Sequence, residues 1–198
     1  MAKLMVMMSL SVDGYMEGPD GDLSWHLVDD EVHGYFNRLL ASMSCFIHGR
    51  ATYELMAGYW PTADADPQSP AVQREFAQIW RDMPKLVYSR TLDRVDWNAE
   101  LRREVDIAEI EQLKARSERD ITLGGADLAA TFMRHDLIDE YHLCVHPVLV
   151  GAGRRLFPEG NVLPGGGPAG LRLAETRTFG NGVVLLRHER ADADRTHR

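Results

Sequence analysis

Three times along this chain a short apolar run breaks into a turn that carries glycine, arginine or hydroxyl side chains. Cys45-Phe46-Ile47 leads to Gly49-Arg50-Ala51-Thr52-Tyr53-Glu54, and Leu86-Val87-Tyr88 leads to Ser89-Arg90-Thr91-Leu92. Ile121-Thr122-Leu123 leads to Gly124-Gly125-Ala126-Asp127-Leu128. Runs this short and apolar read as strands buried on both faces, the habit of a parallel sheet. Such a sheet gathers its strand carboxyl ends on one edge, and ligands bind outside that edge. Glycine there lets main-chain N–H groups approach a ligand, and helix N-termini favour negative charge. The pattern constrains the chain to an α/β architecture and points to a phosphate-rich cofactor, and so to a nucleotide-dependent enzyme.

Strand and helix signals alternate through the rest of the chain. Residues 3–10 read as a first strand, followed by a loop rich in glycine and aspartate over 13–22 and by Trp25. Asp29-Asp30-Glu31 is an acidic helix start, with Val32, Tyr35, Phe36, Leu39 and Leu40 at helical spacing behind it. Residues 44–48 and 85–89 read as strands. A helix begins near Arg50 or Thr52, and a loop over 59–70 ends at Pro70, which suits the first turn of a helix reaching about Trp80. Asp106 is placed to cap a further helix, 121–123 reads as a strand, 126–135 as a helix and 140–150 as a long strand. Segments 171–178 and 183–189 flank Phe179-Gly180-Asn181-Gly182, whose Asn-Gly step marks a tight hairpin. The expected fold is a mixed, mainly parallel sheet with helices on both faces and a C-terminal antiparallel hairpin.

At 198 residues the chain suits one domain, expected over 1–190, with a polar tail over 191–198 that frays. Its 22 basic and 30 acidic side chains leave a net charge of −8, which argues against a general nucleic-acid partner. Cys45 and Cys144 sit inside apolar runs and read as buried free thiols. The apolar start, 1–12, runs directly into the Asp13-Gly14 turn signal and reads as a strand rather than a leader. No run reaches the ~18 apolar residues of a membrane span, so no membrane partner and a cytoplasmic location are expected.

Two motifs fail on inspection. Gly151-Ala152-Gly153 lacks the third glycine of a dinucleotide fingerprint: Leu156 stands there, and Pro158 interrupts any helix. The glycine-rich 163–168 segment has no Gly-Lys-Ser/Thr and reads as a connector. His142, Cys144 and His146 alternate, which puts them on one strand face, yet no fourth ligand has a recognisable spacing. No metal is assigned.

In this order the motifs resemble the dihydrofolate-reductase-like superfamily, and more closely the branch related to the reductase domain of the bifunctional riboflavin-biosynthesis deaminase/reductase. Ser9-Leu10-Ser11-Val12-Asp13-Gly14-Tyr15, the three strand-end motifs, Asp136-Leu137-Ile138-Asp139-Glu140-Tyr141, Pro147, Val150-Gly151-Ala152-Gly153, Leu156 and Phe157 carry the likeness. The resemblance implies a three-layer reductase fold, a homodimer, and hydride transfer from NADPH to a pyrimidine- or pteridine-like heterocycle. An aminouracil of riboflavin synthesis ranks ahead of dihydrofolate. Carried over, Gly49, Arg50 and Thr52 hold the diphosphate and adenosine side, and Ser89 and Arg90 meet the ribose 2′-phosphate. Gly124 and Gly125 let the backbone touch the diphosphate, with N–H donors from the helix at Asp127 and Leu128. The 13–25 loop resembles a mobile lid beside the nicotinamide.

For catalysis the resemblance offers two carboxylates. Glu31, or its neighbour Asp30, lies near the helix position from which folate reductases hold the pterin; either also suits a helix N-terminal charge. Asp13 belongs to a Ser-x-Asp-Gly segment that lies beside the substrate in the riboflavin branch, where a carboxylate orients a pyrimidine edge or delivers a proton. Within residues 1–198 no deaminase pattern and no long phosphosugar pattern around 42–50 are read, a departure from what that branch leads one to expect. The rival function is an NADPH-binding or regulatory protein that keeps the fold without turnover.

Overall fold

The computed structural model describes residues 1–157, 159–160, 163–164 and 167–191. In chain order the first elements are β1 (Leu4–Ser11), β2 (Tyr15–Glu17), α1 (Asp30–Ala41), β3 (Cys45–Gly49), α2 (Arg50–Ala57), α3 (Ala71–Asp82), β4 (Lys85–Tyr88) and β5 (Ala99–Arg102). There follow α4 (Ile107–Arg116), β6 (Ile121–Gly124), α5 (Ala126–Arg134), β7 (Glu140–His146), β8 (Arg154–Arg155), β9 (Leu171–Thr178) and β10 (Val184–Arg190). This is the expected α/β class, with mostly parallel strand pairs and a terminal antiparallel hairpin. Pro158, residues 165–166 of the expected connector and residues 192–198 of the expected tail lie outside the described residues. The chain divides into two compact units, one of Met1–Ala2 with Val28–Gly125, the other of Lys3–Leu27 with the chain from Ala126 onward.

In the first unit four parallel strands lie in the order β5-β4-β3-β6. The helix starts are chemically marked. The Asp29 carboxylate accepts from Val32 N–H at 3.0 Å to cap α1, and Asp106 caps α4 through Ala108 N–H at 2.9 Å. Phe76, Ala77 and Trp80 form the buried stripe of α3, at the spacing of an amphipathic helix. Trp80 is wholly buried, and its ring lies 4.4 Å from the Lys85 ammonium. Lys85 is itself buried; it donates to the carbonyls of Met83 at 2.7 Å and Trp97 at 2.8 Å, and burial pushes its pKa down to about 8. The strand β5 was not expected from its sequence, Ala-Glu-Leu-Arg. It forms because Trp97 and Asn98 turn the chain through positive φ, 63° and 55°, and deliver it alongside β4.

In the second unit β1 and β7 run parallel, from Met5 opposite Glu140 to Ser11 opposite His146. Antiparallel β10 flanks β7, and β9 flanks β10. The hairpin closes through Phe179 N–H to Val183 C=O at 2.9 Å, with Gly182 at φ 87° in the position its Asn-Gly step foretells. β7 stops at His146, short of the expected 150, because Pro147 has no N–H to continue a ladder. Glu140 is buried at the start of β7 and bonded to Lys3 and, at 2.8 Å, to His142. Cys144 is buried and free, as is Cys45 in the first unit. The short β2 and β8 pair antiparallel; at three and two residues they are too brief to show a periodicity.

Trp80 fixes α3 in its unit, so Trp80→Ala is expected to cost about 3–5 kcal/mol of unfolding free energy, read from the midpoint and slope of a urea titration.

Candidate functional site

In the first unit the parallel register sets the carboxyl ends of the strands side by side. Gly49 lies opposite Tyr88, the residue before Ser89, and His48 lies opposite Gly124. The sequence-selected residues Gly49, Thr52, Gly124 and Gly125 meet here. A Cβ on Gly125, which has φ 107°, would come within 2.8 Å of Thr52 Oγ1 and 3.8 Å of Gly49 N. One on Gly124 would lie 3.3 Å from both His48 Cδ2 and Thr52 Cγ2. Side chains are therefore excluded at Gly125 and crowded at Gly124, and what remains is a backbone-floored cradle at the start of α2. Gly49 is the N-cap of that helix, with no side chain capping it.

Ser89 and Arg90 occupy the turn after β4. The Ser89 hydroxyl accepts from Thr91 N–H at 3.2 Å and Leu92 N–H at 3.0 Å, and the Arg103 guanidinium donates to the carbonyls of Ser89 at 3.1 Å and Leu92 at 2.6 Å. Arg103 is a residue that the sequence reading missed. Its part depends on a turn eleven or more residues away, which no local pattern reveals. Arg50 pairs with Glu54 at 2.9 Å and Arg90 with Glu104 at 3.6 Å. Both pairs are exposed, so they are worth little and are readily exchanged for a phosphate. Glu31 and Asp30 lie exposed in the first turn of α1, where the helix dipole favours them.

In the second unit Asp13 is the hub of its loop. Oδ1 accepts from Ser11 Oγ at 2.6 Å and Val150 N–H at 3.1 Å, and Oδ2 from Gly151 N–H at 2.8 Å. The Ser11 hydroxyl in turn accepts from Tyr15 N–H at 2.9 Å. These bonds, the Ser11 hydroxyl foremost, hold the Asp13 carboxyl down at about 2, so near neutrality it has no proton to give. The Gly-Ala-Gly step that failed as a fingerprint has another purpose. Gly151 presents its N–H to Asp13, and Gly153, at φ 128°, passes so close to β2 that a Cβ would lie 2.1 Å from Glu17 O.

Beside this turn is a cleft of about 380 Å³, lined by Tyr15, Ala126, Asp127, Arg154, Arg155 and Glu159 among others. The Arg155 guanidinium stacks 4.3 Å over the Tyr15 ring and donates to Asp13 O at 3.0 Å and Tyr15 Oη at 3.1 Å. Arg154 bridges Glu17 at 3.0 Å and Asp127 at 3.2 Å. Asp127 thus faces the cleft, with Leu128 next to it in the first turn of α5. The adjacent arginines after a glycine turn were the available signal for this cleft.

Trp25, His26 and His146 form a ring cluster at the carboxyl end of β7. The two imidazoles stack with centroids 5.1 Å apart, and Trp25 stands edge-on to both. Leu27 N–H donates to His146 Nδ1 at 3.0 Å, so the proton of the neutral ring resides on Nε2, which is buried without a partner. Among the described residues no three His, Cys, Asp or Glu side chains are placed to share an ion.

The sequence profile of the RibD C-terminal domain matches residues 2–185. The chain belongs to this family. Among curated proteins it is 30% identical over 185 residues to YyaP of Bacillus subtilis strain 168, an uncharacterized protein, and the match covers 93% of each chain. It is 28% identical over 188 residues to a second uncharacterized protein of that organism, YwjB, covering 92% of this chain and 95% of that one. Among solved structures, one from Shewanella sp. PV-4, provisionally described as a riboflavin biosynthesis protein, aligns with a TM-score of 0.71 at 22% identity over 97% of this chain and 100% of that one. A pyrimidine reductase-like protein of Corynebacterium diphtheriae aligns at 0.62 and 12% identity, covering 96% and 92%. The diaminohydroxyphosphoribosylaminopyrimidine deaminase/5-amino-6-(5-phosphoribosylamino)uracil reductase of Thermotoga maritima aligns at 0.64 and 13% identity; 96% of this chain matches 57% of that longer one. These likenesses establish the RibD C-terminal fold.

Burial holds the His146 imidazole down at about 4, with His26 adding to the effect, against an ordinary value of 6.5. The folded ring therefore binds fewer protons than the unfolded one between these values. Its contribution to stability is full above pH 6.5 and is lost as the pH falls toward 4. Urea midpoints measured from pH 7 to pH 4 are expected to fall, and His146→Phe is expected to fall less steeply.

Proposed function

We propose that this protein is an NADPH-dependent reductase acting on a small heterocycle of the pyrimidine or pteridine type, with an aminouracil of riboflavin synthesis as the first candidate. The observation that carries the reading is the glycine cradle at the carboxyl ends of β3 and β6, in a chain of the RibD C-terminal family. A cradle in which a Cβ is excluded, opening on the uncapped start of α2, fits the backbone contact that a dinucleotide diphosphate requires. NADPH supplies the hydride when bound, and the chain supplies position and electrostatics.

In this reading Gly49, Thr52, Gly124 and Gly125 hold the diphosphate, and Arg50 extends toward the adenosine side. Arg90 gives up its exposed pairing with Glu104 to meet the ribose 2′-phosphate, on a turn that Ser89 and Arg103 hold in shape. Asp127 and Leu128, at the start of α5, are the proposed main-chain phosphate donors of the second unit. Asp13 serves as a permanent anion. Its Oδ2 retains an acceptor position for a ring N–H, which favours orienting the heterocycle over delivering a proton. Glu31 is the proposed second carboxylate. A homodimer is proposed as the working form; Leu171 and Leu173, exposed on the edge strand β9, are the apolar surface that supports it.

Two experiments test this. In thermal-shift titrations, NADPH at ~100 times its dissociation constant is expected to add about 2.7 kcal/mol, a shift of roughly 5–10 °C, with NADH giving less and Arg90→Ala reducing the NADPH response. No shift with either nucleotide removes the cofactor assignment. In steady-state assays against a panel of aminouracils and pteridines, Asp13→Asn is expected to lower kcat by tenfold or more while NADPH affinity is unchanged. NADPH binding with no turnover of any acceptor would favour the regulatory alternative.

A further inference from the structure

His48 stands on β3 immediately before Gly49 and in register with Gly124. Only 6% of the residue is exposed. The Cδ2–Nε2 edge of its imidazole faces the bare Cα of Gly124: a Cβ there would lie 3.3 Å from Cδ2 and 3.7 Å from Nε2, with Thr52 Cγ2 at 3.3 Å. Imidazole and threonine together wall the cradle. The far nitrogen, Nδ1, is buried and makes no hydrogen bond.

That orphan atom decides the tautomer. A buried N–H without an acceptor is rarer in native proteins than an under-used acceptor. The ring's proton therefore belongs on Nε2, and Nδ1 keeps its lone pair. Burial first, and the nearby charge of Lys85 second, push this imidazole down to about 3, so it is neutral at any ordinary pH. Were His48 only filling space against Phe46, whose ring centroid is 5.8 Å away, an apolar side chain would do so without stranding a nitrogen. The strand reading of 44–48 saw only an apolar run here and gave this histidine no part.

We propose that His48 is a ligand-binding member of the cradle, its Nε2–H donating to a diphosphate oxygen of the bound dinucleotide. The inference rests on the NADPH reading above and deepens it. His48 and Thr52 are then uncharged side-chain donors to the bridging diphosphate, whereas Arg90 reads the 2′-phosphate by charge. The two ends of the dinucleotide are recognised by different chemistry.

The test is calorimetric titration of the wild type, His48→Phe and His48→Gln with NADPH and with adenosine 2′-phosphate, which keeps the 2′-phosphate and lacks the diphosphate. Loss of one hydrogen bond to a charged acceptor is expected to weaken NADPH binding about 10- to 100-fold in His48→Phe. Adenosine 2′-phosphate affinity should be unchanged, and His48→Gln, which retains an N–H donor, should recover most of the loss. In ¹⁵N-labelled wild type the His48 Nε2–H proton should move downfield with NADPH and stay in place with adenosine 2′-phosphate. That readout decides the matter even if His48→Phe fails to fold. Equal NADPH affinity in wild type and His48→Phe, or an unmoved His48 resonance in the NADPH complex, overturns the proposal and leaves the cofactor reading standing. A wild type that does not bind NADPH removes both.

Discussion

The parallel register of β3 against β4 and β6 is the constraint on which the chemistry of the first unit depends. Because Gly49 lies opposite Tyr88 and His48 opposite Gly124, three turns leave the strands at one level. A slip of one residue would turn every side chain to the other face. His48 would then leave Gly124, and Thr52 would lose the glycine that makes room for its hydroxyl. The apolar faces of β3, β4 and β6 protect the register: Phe46, Ile47, Val87, Ile121 and Leu123 are all buried. Packing and ligand geometry are thus specified by the same pairings.

The second unit is organised by a carboxylate rather than by a register. Asp13 collects the Ser11 hydroxyl and the N–H groups of Val150 and Gly151, and Arg155 lies over Tyr15 while holding the Asp13 carbonyl. The Val150 and Gly151 bonds join the loop after β1 to the turn after β7, and Arg155 ties β8 to that loop and to β2. With its carboxyl held at about 2, this hub stays ionised throughout the neutral range. The same bonds that fix its place leave it unable to act as an acid.

Much of this was legible in the sequence, and the limit has a physical reason. Asp29 was readable as part of an acidic helix start, Asp106 as a cap, the Asn181-Gly182 step as a hairpin and the strand ends as glycine turns, because each signal lies within a few residues of its effect. β5 was not, since Ala-Glu-Leu-Arg has helical character and becomes a strand only beside β4. Arg103 and Arg155 act on turns well removed in the chain, and His48 acquires meaning only from the glycine on the neighbouring strand. The failed Gly151-Ala152-Gly153 fingerprint belongs with these. Its glycines answer a spatial demand, a donor for Asp13 and a close pass by Glu17, which spacing alone cannot distinguish from a nucleotide loop.

The two thiols carry a practical consequence. Cys45 lies in the first unit and Cys144 in the second, both shut away from solvent, and burial pushes them up to about 11 and about 12. The folded chain therefore holds almost no thiolate and is inert to alkylating reagents near neutrality. When a unit opens, its cysteine returns to ordinary reactivity. The protein carries one native chemical clock in each half, and the order in which they are labelled reports which half lets go first.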